Sequence, residues 1–130
     1  MSESVLREKS YAFAIRIVEM NRFLCSEKKE YVLSKQVLRS GTAIGALIHE
    51  AEFGQSTPDF RTKFTIALKE ANETQYWLRL LTDTRYLDER FFSSISNDCL
   101  ELIRMLVATI KTLKIREEAE RLAKRSGRKL

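Results

Sequence analysis

Proline occurs once in this chain, at Pro58, glycine at only four positions, and histidine once, at His49. A sheet protein needs turn residues roughly every eight to twelve positions, and that supply is missing, so an all-α chain follows. The two cysteines, Cys25 and Cys99, match no CxxC spacing. Both fall on apolar faces of predicted helices, where free cysteine behaves as a small hydrophobe, and they read as reduced core thiols. No window holds the roughly 18 apolar residues that a membrane span requires. The leading MSESVLREKS has no apolar signal core, so no membrane association and a cytoplasmic location are expected. The Asn72-Glu73-Thr74 sequon lies mid-helix in a chain with no export signal and is discarded.

The same scarcity excludes most chemistry. Glu70 and Glu73 stand one turn apart and His49-Glu50 sits on the preceding helix, which raises a carboxylate metal site. Ferritin-like sites need Glu-x-x-His from each of two helices, however, and one histidine cannot supply them. The glutamates are expected instead to pair with Arg39, Arg79 or Lys69. No nucleophile elbow, oxyanion turn or Cys/His signature accompanies His49. We expect no catalytic residue, no metal, no cofactor and no enzyme.

The 130 residues fit one domain, residues 1–130, with one core. The formal charge of +5 and pI near 9.4 favour association with polyanions without bearing on fold. Most of the excess follows Leu113, where Lys114, Arg116, Arg121, Lys124, Arg125, Arg128 and Lys129 outnumber Glu117, Glu118 and Glu120.

Periodicity predicts four helices, about 4–28, 34–53, 58–82 and 88–122, followed by a basic tail over about 123–130. Phe13, Ile17, Met20 and Leu24 form the inward stripe of the first. Ser34 is a plausible N-cap of the second, and Gly54 is well placed to cap its C-terminus. Ser56-Thr57-Pro58-Asp59 marks the clearest helix start, and Asp88 can cap the fourth. Short loops then give an antiparallel up-down-up-down four-helix bundle. Beyond the core stripes, Trp77, Leu80, Ile103, Val107 and Ile110 form apolar flanks, which are expected to build a subunit interface. The aromatics Tyr76, Trp77, Phe91 and Phe92 are spaced for packing rather than for base stacking.

Gly41 and Gly45 interrupt the second helix. Each costs roughly 1 kcal/mol against alanine there. Their i, i+4 spacing puts them on one face, where they let another backbone come close, so they are expected to be helix-packing residues.

At RSGTAIGALIHEA, IALKEANETQYWLRLL, EKSYAFAIRIVEM and NDCLELIRMLVATIKTLK the chain resembles the four helix bundle protein family of bacteria, also called the 23S rRNA intervening-sequence proteins. The resemblance implies a four-helix bundle assembling as a ring-like homopentamer and does not imply an enzyme. That family is similar in turn to the small basic accessory proteins of diversity-generating retroelements, which bind nucleic acid and a reverse transcriptase. This chain departs from the family pattern at Leu47, where Asn is frequent, and at His49. The combined expectation is a homo-oligomeric bundle binding RNA or DNA through backbone phosphates. Lys111, Lys114, Arg116, Arg121, Lys124, Arg125, Arg128 and Lys129 are the candidate contacts, with Arg39 and Arg61 as further ones. The alternative is a protein-interaction adaptor or scaffold with no nucleic-acid role, docking an unknown protein partner.

Overall fold

The computed structural model describes residues 3–54 and 56–127. Four α-helices run in order: α1, Glu3–Ser26; α2, Leu33–Ala51; α3, Thr57–Asp83; and α4, Glu89–Arg125. Among the described residues there is no strand. Cross-links between helices fix the antiparallel order. Asn21 Nδ2 donates to the Ser34 carbonyl and Arg7 pairs with Glu52 across α1 and α2. Lys63 pairs with Glu50, and Arg39 with Glu70, across α2 and α3. Arg16 meets Asp98 where α4 returns past α1. The α1–α2 and α3–α4 connectors therefore share one end of the bundle.

The inward stripes meet as their spacing dictates: Phe13, Ile17, Met20 and Leu24 from α1, Val37, Ile44 and Ile48 from α2, Phe64, Leu78 and Leu81 from α3, and Ile95, Leu102 and Leu106 from α4 are all buried. Buried hydroxyls among them are matched, since the Thr74 hydroxyl donates to Ser40 Oγ across α2 and α3 at 2.9 Å. Cys99 is buried, its thiol donating to the Ala71 carbonyl, and burial with the nearby Asp98 charge pushes its pKa up to about 12. Such a thiol stays protonated and inert. Cys25 is half-buried, and both cysteines are free.

The helix starts separate into legible and illegible ones. Ser56 accepts the Asp59 amide and Asp88 accepts the Phe91 amide at 2.7 Å, capping α3 and α4. Ser34 does not cap α2. That helix begins at Leu33, its N-cap residue Val32 offers no side-chain acceptor, and Ser34 is already inside the first turn. The cap is the carboxylate of Glu30, which takes the amides of Val32 (3.1 Å), Leu33 (3.0 Å) and Ser34 (2.6 Å). One buried side chain thus satisfies three of the four orphan donors of a helix start.

Burial alone would raise the Glu30 pKa, but the Leu33, Ser34 and Val32 amides, with the Ser34 side chain, outweigh it and hold the carboxyl below its ordinary 4.5. A depressed folded-state pKa contributes stability above the unfolded pKa and loses it as pH falls through the folded value. Wild type is therefore expected to lose stability below about pH 4.5. Glu30→Gln should remove that acid-side loss and lie roughly 1–2 kcal/mol lower at neutral pH. Urea melts at pH 7 and pH 4 measure both effects, and parallel pH profiles for the two proteins would contradict the assignment.

Gly54 also differs from expectation: its φ is not positive, the cap residue of α2 is Glu52, and the chain leaves the helix through a simple turn with the Gly54 amide on the Ala51 carbonyl. The left-handed turn residues are Lys29 (φ 55°) and Arg85 (φ 72°), with Gly127 (φ 75°) past the end of α4. Arg85 closes α3 in the position usually given to glycine, its amide on the Thr82 carbonyl and the next amide on that of Leu81.

Candidate nucleic-acid interface

Helix α4 has 37 residues and α3 has 27, about 55 and 40 Å at 1.5 Å per residue. Since the two run antiparallel from a shared connector, the last turns of α4 project past the start of α3. The final buried residue of α4 is Leu113. Helix continues to Arg125, so positions 123–125, expected as tail, are its last turn. Arg128 and Lys129 lie outside the described residues.

The projection is fastened at its base. Arg61 donates two hydrogen bonds to Glu117, from Nε at 2.5 Å and from Nη2 at 3.2 Å, and the Thr57 hydroxyl donates to Glu120. The Arg61 contact holds the Glu117 carboxyl below the usual range and raises the guanidinium. Arg121 pairs with Glu118 within the helix, which raises its pKa further. The three glutamates of this segment are thus engaged, two of them by arginines. Lys111, Lys114, Arg116, Lys124 and Arg125 are exposed and form no ion pair among the described residues, although the Lys114 charge also helps to hold Glu117 ionised. Lys111, Lys114, Arg121 and Arg125 share one face at helical spacing, while Arg116 and Lys124 project to other sides.

Two further candidates are occupied. Arg61 is held by Glu117, as above. Arg39 bridges Glu70 and Glu73, the pairing read from the sequence, and both acids raise its pKa. Glu73 also accepts the Trp77 indole N–H at 3.0 Å, and Trp77 and Arg39 together hold its carboxyl below the usual range. No group of three or more His, Cys, Asp or Glu among the described residues lies close enough to hold a metal, and His49 stands exposed, edge-on to Phe53.

Gly41 and Gly45 lie at the α1–α2 seam. A Cβ at Gly41 would come within 2.8–3.0 Å of three Ile17 side-chain carbons, and one at Gly45 within 3.2 Å of the Ser10 carbonyl oxygen. Gly41→Ala forces a fully buried isoleucine to move and is expected to destabilise by roughly 1–2 kcal/mol net of its helix-propensity gain. Gly45→Ala, with a tight but tolerable contact and the same gain, should fall within about 0.5 kcal/mol of wild type. Thermal melts compare them directly; equal shifts would refute the distinction.

The apolar flanks are distributed differently from the sequence reading. Ile110 is only 8% exposed and belongs to the chain's own core, because α3 still covers α4 at that level. Trp77 and Ile103 pack partly on the core, and Leu80 and Val107 are half-buried. Phe91 and Phe92 likewise pack on the core, with the guanidinium of Arg79 4.0 Å from the Phe92 ring centre. The side chains left uncovered are others, among them Tyr11, Phe53, Tyr76 and, on the last turns of α4, Ile115 (72%) and Leu122 (51%). Sequence periodicity missed these two because they lie off the core stripe of α4.

The model of the 23S rRNA-intervening sequence protein family matches residues 3–108. A solved structure of a protein of unknown function from the S23 ribosomal protein family of Bacteroides thetaiotaomicron VPI-5482 is 53% identical, with a TM-score of 0.84, covering 85% of this chain and 99% of that one. No curated protein matches the chain. No helix is long and apolar enough to cross a membrane among the described residues. The candidate contacts Lys111 to Arg125 lie beyond the matched segment, whereas the exposed Arg90 and Arg104 of α4 lie within it. With most of its length under the family's model and that fold reproduced in a relative of such identity, the chain belongs to the 23S rRNA-intervening sequence protein family.

Proposed function

We propose that this chain is a non-enzymatic, cytoplasmic bundle that self-associates and binds RNA or DNA through backbone phosphates along the last turns of α4, residues 111–125. The observation that carries the reading is the charge left over there: the acids of the segment are engaged while Lys111, Lys114, Arg116, Lys124 and Arg125 stand exposed with no ion pair among the described residues. Lysine and arginine on a rod-like helix suit a phosphate backbone and carry no base readout by themselves. Self-association as a ring would multiply the effect, since several copies of one weak cationic surface act at high effective concentration.

Fluorescence anisotropy with labelled duplex RNA and DNA, over a salt series, tests the binding. The expected result is affinity that falls steeply and linearly on logarithmic axes with salt, with little sequence preference. Absence of binding at low salt would overturn it, and recovery of one dominant protein partner insensitive to nuclease would favour the adaptor reading. Light scattering of the same sample reports subunit number, and a monomer at micromolar concentration would remove the self-association.

A further inference from the structure

A cavity of about 740 Å³ opens at the connector end of the bundle, opposite the projection of α4. It forms where α1 and α4, the least closely packed neighbours, part around the 84–88 connector. Its floor is apolar: Met20 and Leu87 are buried, and Phe91 is half-buried on the core. Phe23 stands at the rim 42% exposed, a large ring left in water beside a ready-made recess.

The charges around the recess are not equally committed. Arg16 is held by Asp98 at 2.7 Å and by Ser94, with its guanidinium 5.6 Å from the Phe91 ring centre. Asp88 is spent capping α4, and Glu89 faces Arg79. Among the described residues neither Glu19 nor Arg85 forms an ion pair. Lys28 lies with Nζ 5.8 Å from the Phe23 ring centre and likewise forms no ion pair among them. Two cations without a carboxylate partner thus face one such acid, one of the cations resting on the rim ring. Arg85 moreover keeps a left-handed backbone that glycine would adopt without strain, and Lys29 does the same on the adjacent connector.

We propose that this cavity binds a nucleotide, with its base against Phe23 and Phe91 and its phosphate on Lys28 and Arg85. The volume lies within the roughly 300–1,000 Å³ of small-molecule sites. Base–aromatic stacking supplies the ring contact for any base, and Glu19 can accept from an exocyclic amino group. The nucleotide is either free or an unpaired residue of a single strand. The residues are separate from those of the α4 face, so the two sites stand or fall independently.

Calorimetric titration with adenosine 5′-monophosphate, adenosine, inorganic phosphate and 5′-phosphorylated hexa-adenylate tests the site. The monophosphate should bind roughly tenfold or more tightly than either adenosine or phosphate alone. Phe23→Ala and Arg85→Gln, both at exposed positions, should each weaken it roughly tenfold with an unchanged melting curve. Lys28→Gln replaces either variant should one melt early. A Lys124→Gln, Arg125→Gln double variant should leave this affinity unchanged, which separates failure here from failure of the α4 face. Competition between hexa-adenylate and the monophosphate identifies a strand as the source, and monophosphate binding without such competition identifies the free nucleotide. No binding of either, phosphate matching the monophosphate, or indifference to the substitutions would overturn the proposal.

Discussion

A variant with Lys111, Lys114, Lys124 and Arg125 all replaced by glutamine is expected to bind duplex RNA or DNA roughly a thousandfold more weakly near 0.1 M salt. Each lost phosphate contact removes about 0.9 from the logarithmic salt slope, so that slope should fall by about three to four. The fold should not notice. All four side chains are exposed and none forms an ion pair among the described residues, and surface substitutions of this kind each stay within about 0.5 kcal/mol of wild type. Anisotropy over a salt series and a melting curve on the same preparation give both numbers. An unchanged slope would place the binding surface elsewhere on the molecule. Arg61→Gln makes a discriminating companion: with its guanidinium already spent on Glu117, any affinity it loses should come with lost helix at 222 nm, which none of the four should show.

Truncating Phe64 to alanine should destabilise the bundle by about 3–5 kcal/mol. Phe64 is among the largest fully buried side chains and meets the Phe60 ring edge-on, centroids 5.1 Å apart. Its removal leaves a cavity and also strips Phe60 of that aromatic partner. For a chain of this size the melting temperature should drop by roughly 10–20 °C. Phe53→Ala provides the contrast, since Phe53 is 76% exposed and should shift stability by about 0.5 kcal/mol or less. Similar effects at the two positions would mean that Phe53 is buried by another copy of the chain.

These expectations show which parts of the molecule a sequence discloses. The stripe Phe13, Ile17, Met20, Leu24 and the starts at Ser56-Pro58 and Asp88 are local signals, written in spacing or in a short side chain beside its own helix, and all appear where expected. Glu30 was not legible as a cap, because a glutamate caps only when the chain turns back so that its longer side chain reaches three amides at once. Ile110 reads as a flank by spacing but is buried because α3 still runs beside α4 at that level: whether such a position is covered depends on where α3 starts beside it, and periodicity carries no such register. Arg61 looked like a free cation until the antiparallel register brought Glu117 opposite it. Arg85 carried no turn signal at all, since its left-handed backbone is imposed by the closing hydrogen bonds of α3 rather than by its own preference.

The outer turns of α4 lie beyond any hydrophobic support, and a free helical segment that short is marginal in water. Its order is helped by the half-buried Arg61–Glu117 pair and by exposed contacts of Thr57 and Arg121, and ion pairs weaken as salt screens them, the exposed ones most. Raising the salt would then do two things at once: dissolve the attraction between the helix and a polyanion, and fray the helix that presents it. Occupancy by a polyanion would in turn restore the helix. The apparent counterion stoichiometry would exceed the number of phosphates touched, and circular dichroism at 222 nm across the same titration would register the difference as helix gained on binding.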